Sequence, residues 1–226
     1  MKSVTSALIF FLILFNVCAG QSNCDDTAKY SLGKMNLNWS YTNPQLKITY
    51  QFQKGWYFIS SLDSDPEFIP VGSDINKIPS YCFLESKRTI RIFKKSRIGQ
   101  AETIFATSQR KNFKIGDRMQ PIPEQESAVF FGLAYAAVKP ENEYLLTVYK
   151  TLTGSDLEEN EIKDCKIGNT TFKAYTLTRK LPDGSMLHRL AGVKNMGCVN
   201  LVFSIIYITD EELAGIKKGL DSFKVQ

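Results

Sequence analysis

The clearest alternation of apolar and polar positions lies near the C-terminus. There Val199, Leu201, Phe203, Ile205 and Tyr207 share one face of a period-two segment, and Asn200, Val202, Ser204, Ile206 and Ile208 share the other. Strand side chains point alternately to two faces, and here both faces are largely apolar, which predicts a central strand covered on both sides. The period changes at Thr209. The segment TDEE has the residues of a capping box, in which the Thr209 hydroxyl accepts an amide hydrogen bond and Glu212 reaches back to the cap. Leu213, Ile216, Leu220 and Phe223 then recur at helical spacing as one stripe, with Lys217 and Lys218 turned to water. A strand followed by a helix that covers its sheet is the predicted close of the chain.

Upstream, residues 46–53 and 56–60 read as strands broken at Lys54-Gly55, where glycine supplies an unusual backbone angle. Residues 61–80, with three prolines and clustered Asp and Ser, read as a loop. The runs YCFLE (81–85), RTIRIFKK (88–95) and ETIFATS (102–108) predict further strands. Residues 123–138 predict a helix, with Pro123 at the first helical position and acidic residues in the first turn, although the run is apolar on nearly every side and a buried strand is the alternative. Tyr144, Leu145, Val148, Tyr149 and Leu152 fall at helical spacing between Pro140 and Gly154, which predicts a second helix over 140–154. Residues 171–180 and 185–193 flank Leu181-Pro182-Asp183-Gly184, a turn sequence, and so predict a hairpin. The sum is an α+β fold: an antiparallel sheet with helices packed on its faces. No internal repeat or low-complexity tract interrupts it.

The N-terminus changes the address. Lys2, an apolar stretch over 7–15 and the small residues Ala19 and Gly20 make residues 1–20 a secretory signal peptide, leaving one domain over 21–226. The apolar stretch is shorter than the ~20 residues a spanning helix needs, and no later segment is long and apolar enough, so no transmembrane segment is expected in the mature chain. Lipidation at Cys18 is disfavoured because Val17, rather than a small residue, precedes it. The expected location is periplasmic or extracellular.

Export gives the cysteines their meaning. Cys24, Cys82, Cys165 and Cys198 remain after cleavage, an even number that suggests structural disulfides; pairing Cys24 with Cys82 and Cys165 with Cys198 is a guess that favours short loops. No CxxC is present to suggest a redox centre or zinc ribbon. Two sequons, Asn38-Trp39-Ser40 and Asn169-Thr170-Thr171, would be glycan acceptors in a eukaryotic secretory pathway and carry no meaning in a bacterial one.

Reaction chemistry is sparse. The chain has 1 His, so any triad or multi-histidine metal site would depend on His188, which reads as a hydrogen-bonded strand residue. No nucleophile elbow, phosphate loop or dinucleotide fingerprint appears. The run SDLEENEIKD supplies Asp156, Glu158, Glu159, Glu161 and Asp164, but lacks EF-hand spacing and reads as a solvated surface. No catalytic residue, metal ligand or cofactor is assigned.

Charge is more informative. The formal net charge of +5 falls to +4 without Lys2, but its distribution is uneven. Basic residues crowd 87–118 and acidic ones 141–164. Arg91, Lys94, Lys95, Arg97, Arg110 and Lys111 are the candidate partner-binding residues, suited to an acidic protein surface or an anionic polymer. Nucleic acid is disfavoured, since export removes the usual substrate and no binding motif accompanies the charge.

The KGW that follows the first strand, the GNTTFKAYTL strand entering the hairpin and the closing LVFSIIYITDEELAGIKKGLDSF resemble the PsbP-like family, named for a photosystem II extrinsic subunit and including small exported bacterial members. The resemblance covers about half of the mature chain. It implies a PsbP-like α/β/α sandwich and a non-enzymatic accessory role exercised through other proteins, and it transfers no functional residue. The expected function is that of an exported binding or accessory protein using a protein-binding surface. The alternatives are a carboxylate-mechanism enzyme on an envelope or extracellular substrate, and a small-ligand binder, for a lipid or metabolite, with an apolar pocket under 123–138.

Overall fold

The two-faced segment near the C-terminus does become a strand with a neighbour on each side. The computed structural model describes residues 29–60, 67–84, 88–91, 101–109, 128–134, 140–181 and 183–226. Along them run β1 (Lys29–Ser31), β2 (Lys34–Asn36), β3 (Ser40–Asn43), β4 (Ile48–Gln51), β5 (Tyr57–Ile59), β6 (Phe68–Pro70), β7 (Thr89–Arg91), β8 (Ala101–Ser108) and β9 (Ala128–Ala134). Then come helix α1 (Glu141–Thr153), β10 (Lys163–Ile167), β11 (Thr170–Lys180), β12 (Met186–Asn195), β13 (Asn200–Tyr207), helix α2 (Asp210–Gly219) and β14 (Lys224–Val225).

Eight strands form one antiparallel sheet in the order β10-β11-β12-β13-β9-β8-β5-β6, with β13 well inside it. Four more form a second antiparallel sheet, β14-β4-β3-β2, and β1 pairs with β7. The architecture is mostly antiparallel sheet with two helices, an α+β arrangement. Among the described residues no helix is long and apolar enough to cross a membrane.

The main core lies between the two sheets. Phe105 of β8 meets Tyr41 of β3 and Tyr50 of β4 at ring-centroid distances of 5.0 Å, and Phe131 of β9 stacks on Phe223 at 4.5 Å. Aromatic burial of this kind carries a large apolar area into contact and adds the preference of rings for offset or edge contacts. The α2 stripe joins this core, with Ile216, Leu220 and Phe223 fully buried. Its capping box forms as the sequence predicts: the Thr209 hydroxyl accepts from the Glu212 amide at 3.2 Å, and the Glu212 carboxylate accepts from the Thr209 amide at 3.4 Å and also from the Ile208 amide at 2.8 Å. Lys218 is exposed as expected. Lys217 is half-buried beside the Cys165 thiol rather than turned to water.

Helix α1 covers the opposite face of the large sheet. A smaller cluster of Ala134, Tyr144, Leu145, Leu157, Tyr175 and Val193 holds it there. Pro140 precedes it and Gly154 ends it in a left-handed conformation (φ 72°), and Glu143 and Glu141 lie in its first turn.

Further expectations need correction, and the predicted loop over 61–80 holds, where described, strand β6 at the edge of the large sheet. The predicted helix over 123–138 is, where described, strand β9, buried on both faces between β8 and β13. A strand covered on both sides is a continuous apolar run, which periodicity cannot tell from a buried helix. The predicted strand YCFLE is a 3-10 turn at Ser80–Phe83, closed by the Cys82 amide donating to the Pro79 carbonyl at 2.9 Å. The guessed cysteine pairs do not form. Cys82 and Cys165 are buried thiols outside any disulfide. Cys165 sits on β10, whereas Cys198 lies in the turn joining β12 to β13. That is a gap of about 10 Å or more at ~4.8 Å per strand, beyond the ~7 Å that a disulfide spans between Cα atoms. Cys198 is disulfide-bonded, and Cys24 lies outside the described residues.

Candidate functional site

The face of the large sheet beneath α1 is built from small residues. Directly paired residues of antiparallel strands share a face, so the registers Ala101↔Ala134, Thr103↔Gly132, Gly132↔Val202 and Ala191↔Ser204 place Ala101, Thr103, Gly132, Val202, Ser204 and Ala191 side by side. The same face carries Phe130 on β9, Tyr175 on β11 and Arg189 on β12. Helix α1 lays Tyr144, Leu145, Val148 and Leu152 over it. With alanine and glycine as floor and larger side chains as roof and walls, a cleft of about 200 Å³ remains between helix and sheet.

One end of this cleft carries charge. The Arg189 Nε donates to the Ser204 hydroxyl at 2.8 Å. Arg189 is exposed, and among the described residues no carboxylate pairs with it. Its two terminal nitrogens are therefore available as a fork of donors at the cleft mouth. Leu152, an exposed apolar residue of α1, stands over the same cleft.

The walls remain neutral. Burial pushes the Tyr144 phenol up to about 12, helped by nearby Tyr175. Burial also raises Tyr175, opposed by the Arg189 charge. At neutral pH both keep their protons and present hydroxyl donors rather than anions.

Toward the start of α1 the same sheet face holds Asn200, which pairs in register with Ala134 and Asn195. Asn200 is fully buried, and among the described residues neither its carboxamide oxygen nor its nitrogen has a hydrogen-bond partner. The neighbouring Asn195 amide donates to the Glu141 carboxylate at 2.7 Å and ties the helix start to the sheet. A buried amide without partners costs about 1–3 kcal/mol.

The residues singled out in the sequence sit elsewhere. Arg91 is on β7, and Lys94, Lys95, Arg97, Arg110 and Lys111 lie outside the described residues. Arg88, in the same basic run, donates to the carbonyls of Thr103 and Ile104 at 3.3 Å each, beside the irregularity between Thr103 and Phe105, and so serves the fold. His188 pairs its Nδ1 with the Thr178 hydroxyl at 3.0 Å and stacks on Tyr207 at 5.0 Å, on the sheet face away from the cleft. The acidic run forms a 3-10 turn at Glu159–Glu161, with Asp156 on Lys150 at 2.8 Å and Asp164 on Lys173 at 2.7 Å. Among the described residues no group of three or more His, Cys, Asp or Glu is placed to hold a metal ion.

Arg189 and Ser204 line the cleft and were not singled out by sequence reasoning, and neither was Asn200, which shares the sheet face outside the cleft lining. The signal was present at two of them: an asparagine and a serine on one face of an otherwise apolar strand.

No family model matches the sequence, and no curated protein matches it. Among solved structures, a protein of Bacteroides thetaiotaomicron VPI-5482 is similar with a TM-score of 0.41 at 6% identity, over 84% of this chain. The chain spans about half, 49%, of that protein's length.

Proposed function

We propose that the protein is an exported, non-enzymatic binding protein that holds a small amphiphilic anion, a carboxylate of about six to eight carbons, in the cleft beneath α1. The observation that carries this reading is a guanidinium with no carboxylate partner among the described residues, buttressed by a serine, at the mouth of an otherwise apolar cleft. Ligand sites are typically apolar concavities with a few convergent polar groups. Such a guanidinium donates through its terminal nitrogens to a ligand carboxylate, which accepts in bidentate geometry. A cleft of about 200 Å³ lies below the ~300–1,000 Å³ of typical ligand pockets, which suits a short chain with its head at Arg189.

The same reading keeps the accessory setting that the PsbP-like resemblance implies. A PsbP-like sandwich is the finer architecture proposed, supported by helices that pack on opposite faces of the large sheet.

Sodium octanoate is the probe. At about 0.5 kcal/mol per heavy atom its ten atoms give a Kd of about 0.2 mM. A concentration of ~20 mM then stabilises the folded chain by about 2.7 kcal/mol, which raises Tm by about 5–10 °C for a chain of this size. In Arg189→Met the lost charge-assisted bond, about 1.5–3 kcal/mol, cuts that rise to half or less. An undiminished rise in Arg189→Met, or an equal rise with sodium chloride, contradicts the proposal.

A further inference from the structure

The two sequons have the same chemistry in sequence and opposite surroundings in the fold. Asn38 stands exposed in the turn of the β2–β3 hairpin. The Ser40 hydroxyl donates to its side-chain oxygen at 2.6 Å, and among the described residues its Nδ2 donates to nothing. Trp39 fixes this turn: its backbone is left-handed (φ 60°) and its side chain is 7% exposed, packed into the main core. The amide nitrogen is thus presented outward from a rigid tip, with the sequon hydroxyl already on the carboxamide.

Asn169 is the reverse. In the tight turn between β10 and β11 its side-chain oxygen accepts from the Val225 amide at 3.2 Å and from the Thr170 hydroxyl at 2.9 Å, and its Nδ2 donates to the Val225 carbonyl at 3.4 Å. Its own amide donates to the Phe223 carbonyl at 3.2 Å. Adjacent Gly168 leaves no room at all: a Cβ there would stand 1.9 Å from the Phe223 carbonyl oxygen. This carboxamide clasps the C-terminal strand to the turn, and a sugar on Nδ2 would open the clasp.

We propose that Asn38, and not Asn169, is the N-glycan acceptor of this chain. In that reaction the Asn38 Nδ2 attacks C1 of the reducing-end sugar of an oligosaccharyl diphospho-lipid. The nitrogen–carbon bond forms, the bond from C1 to the diphosphate oxygen breaks, and the amide loses one proton as the lipid diphosphate departs. No redox step is involved. The glycan would stand next to Leu37, which is 74% exposed at the hairpin tip, and would shield this apolar side chain from other molecules. The proposal rests on the leader at residues 1–20 and not on the cleft.

The full chain with its own leader, made in a eukaryotic secretory cell or translated with microsomes, gives the test. Gel mobility is compared before and after peptide N-glycosidase digestion for wild type, Asn38→Gln and Thr171→Ala. Thr171 is exposed and makes no bond to Asn169, so Thr171→Ala erases the second sequon without touching the clasp. Wild type and Thr171→Ala are expected to carry one glycan each, and Asn38→Gln none. An unglycosylated wild type, a glycan retained in Asn38→Gln, or a glycan lost in Thr171→Ala each overturns the proposal.

Discussion

Asn200 makes a stability test at a single residue. Its two polar atoms are buried without partners among the described residues, so the folded state bears their desolvation cost. Replacing it with leucine, of similar size, removes that cost and is expected to stabilise the chain by about 1–3 kcal/mol; thermal unfolding reads this as a higher Tm. If Asn200→Leu instead lowers Tm, the amide is partnered in solution and its role beneath α1 is structural. Gly168 shows the opposite economy of space. Its φ is +55° and an added Cβ would collide with the Phe223 carbonyl, so Gly168→Ala is expected to cost more than about 2 kcal/mol in denaturant unfolding. Neither outcome is legible in the sequence. Asn200 alternates with Val202 and Ser204 as an ordinary strand residue, and Gly168 looks like one turn glycine among many. Only the fold brings Phe223, some fifty positions away, against it.

Among the elements, those with a sustained period were readable, as β13 and the two helices show, whereas a continuous apolar run and very short strands were not. Helix α2 announces itself by TDEE and its stripe, and the capping box forms with both arms. Thr209→Ala is accordingly expected to cost about 1 kcal/mol, and a loss below a few tenths would mean that packing of Ile216 and Leu220 alone holds the helix. Helix α1 was likewise readable from its spacing, Pro140 and Gly154. By contrast, Ala128–Ala134 is apolar throughout because both faces of β9 are covered, and its preceding proline and acidic residues imitate a helix start. Strands β1, β2 and β3 were missed because three or four mixed residues each are too few to show alternation. Their pairing comes from tight turns, including the left-handed Trp39 and Lys47, rather than from local preference.

At the scale of the molecule, the cleft could not have been read from the chain because it has no local existence. Its floor is gathered from Ala101, Gly132, Ala191 and Val202 across four strands, and its roof comes from a helix between them in sequence. Buried tyrosines run through both sides of the large sheet and give the whole fold a pH limit. Burial raises the phenols of Tyr50, Tyr144 and Tyr175 above their ordinary value of 10.0. The folded chain then holds protons that the unfolded chain releases, so stability is intact below pH 10 and is lost as pH climbs toward about 12, the Tyr144 value. Tyr144→Phe is expected to flatten the decline between pH 10 and 12 in denaturant midpoints; an unchanged slope would mean that Tyr144 is solvated.

The measurement closest to the central claim is an amide chemical-shift titration of the isotope-labelled chain with sodium octanoate. The account predicts saturable shifts concentrated on Val148, Leu152, Arg189, Ala191, Val202 and Ser204, with the four-stranded sheet unmoved. Shifts spread over that sheet and absent from these residues, or no saturable shift at all, would contradict it.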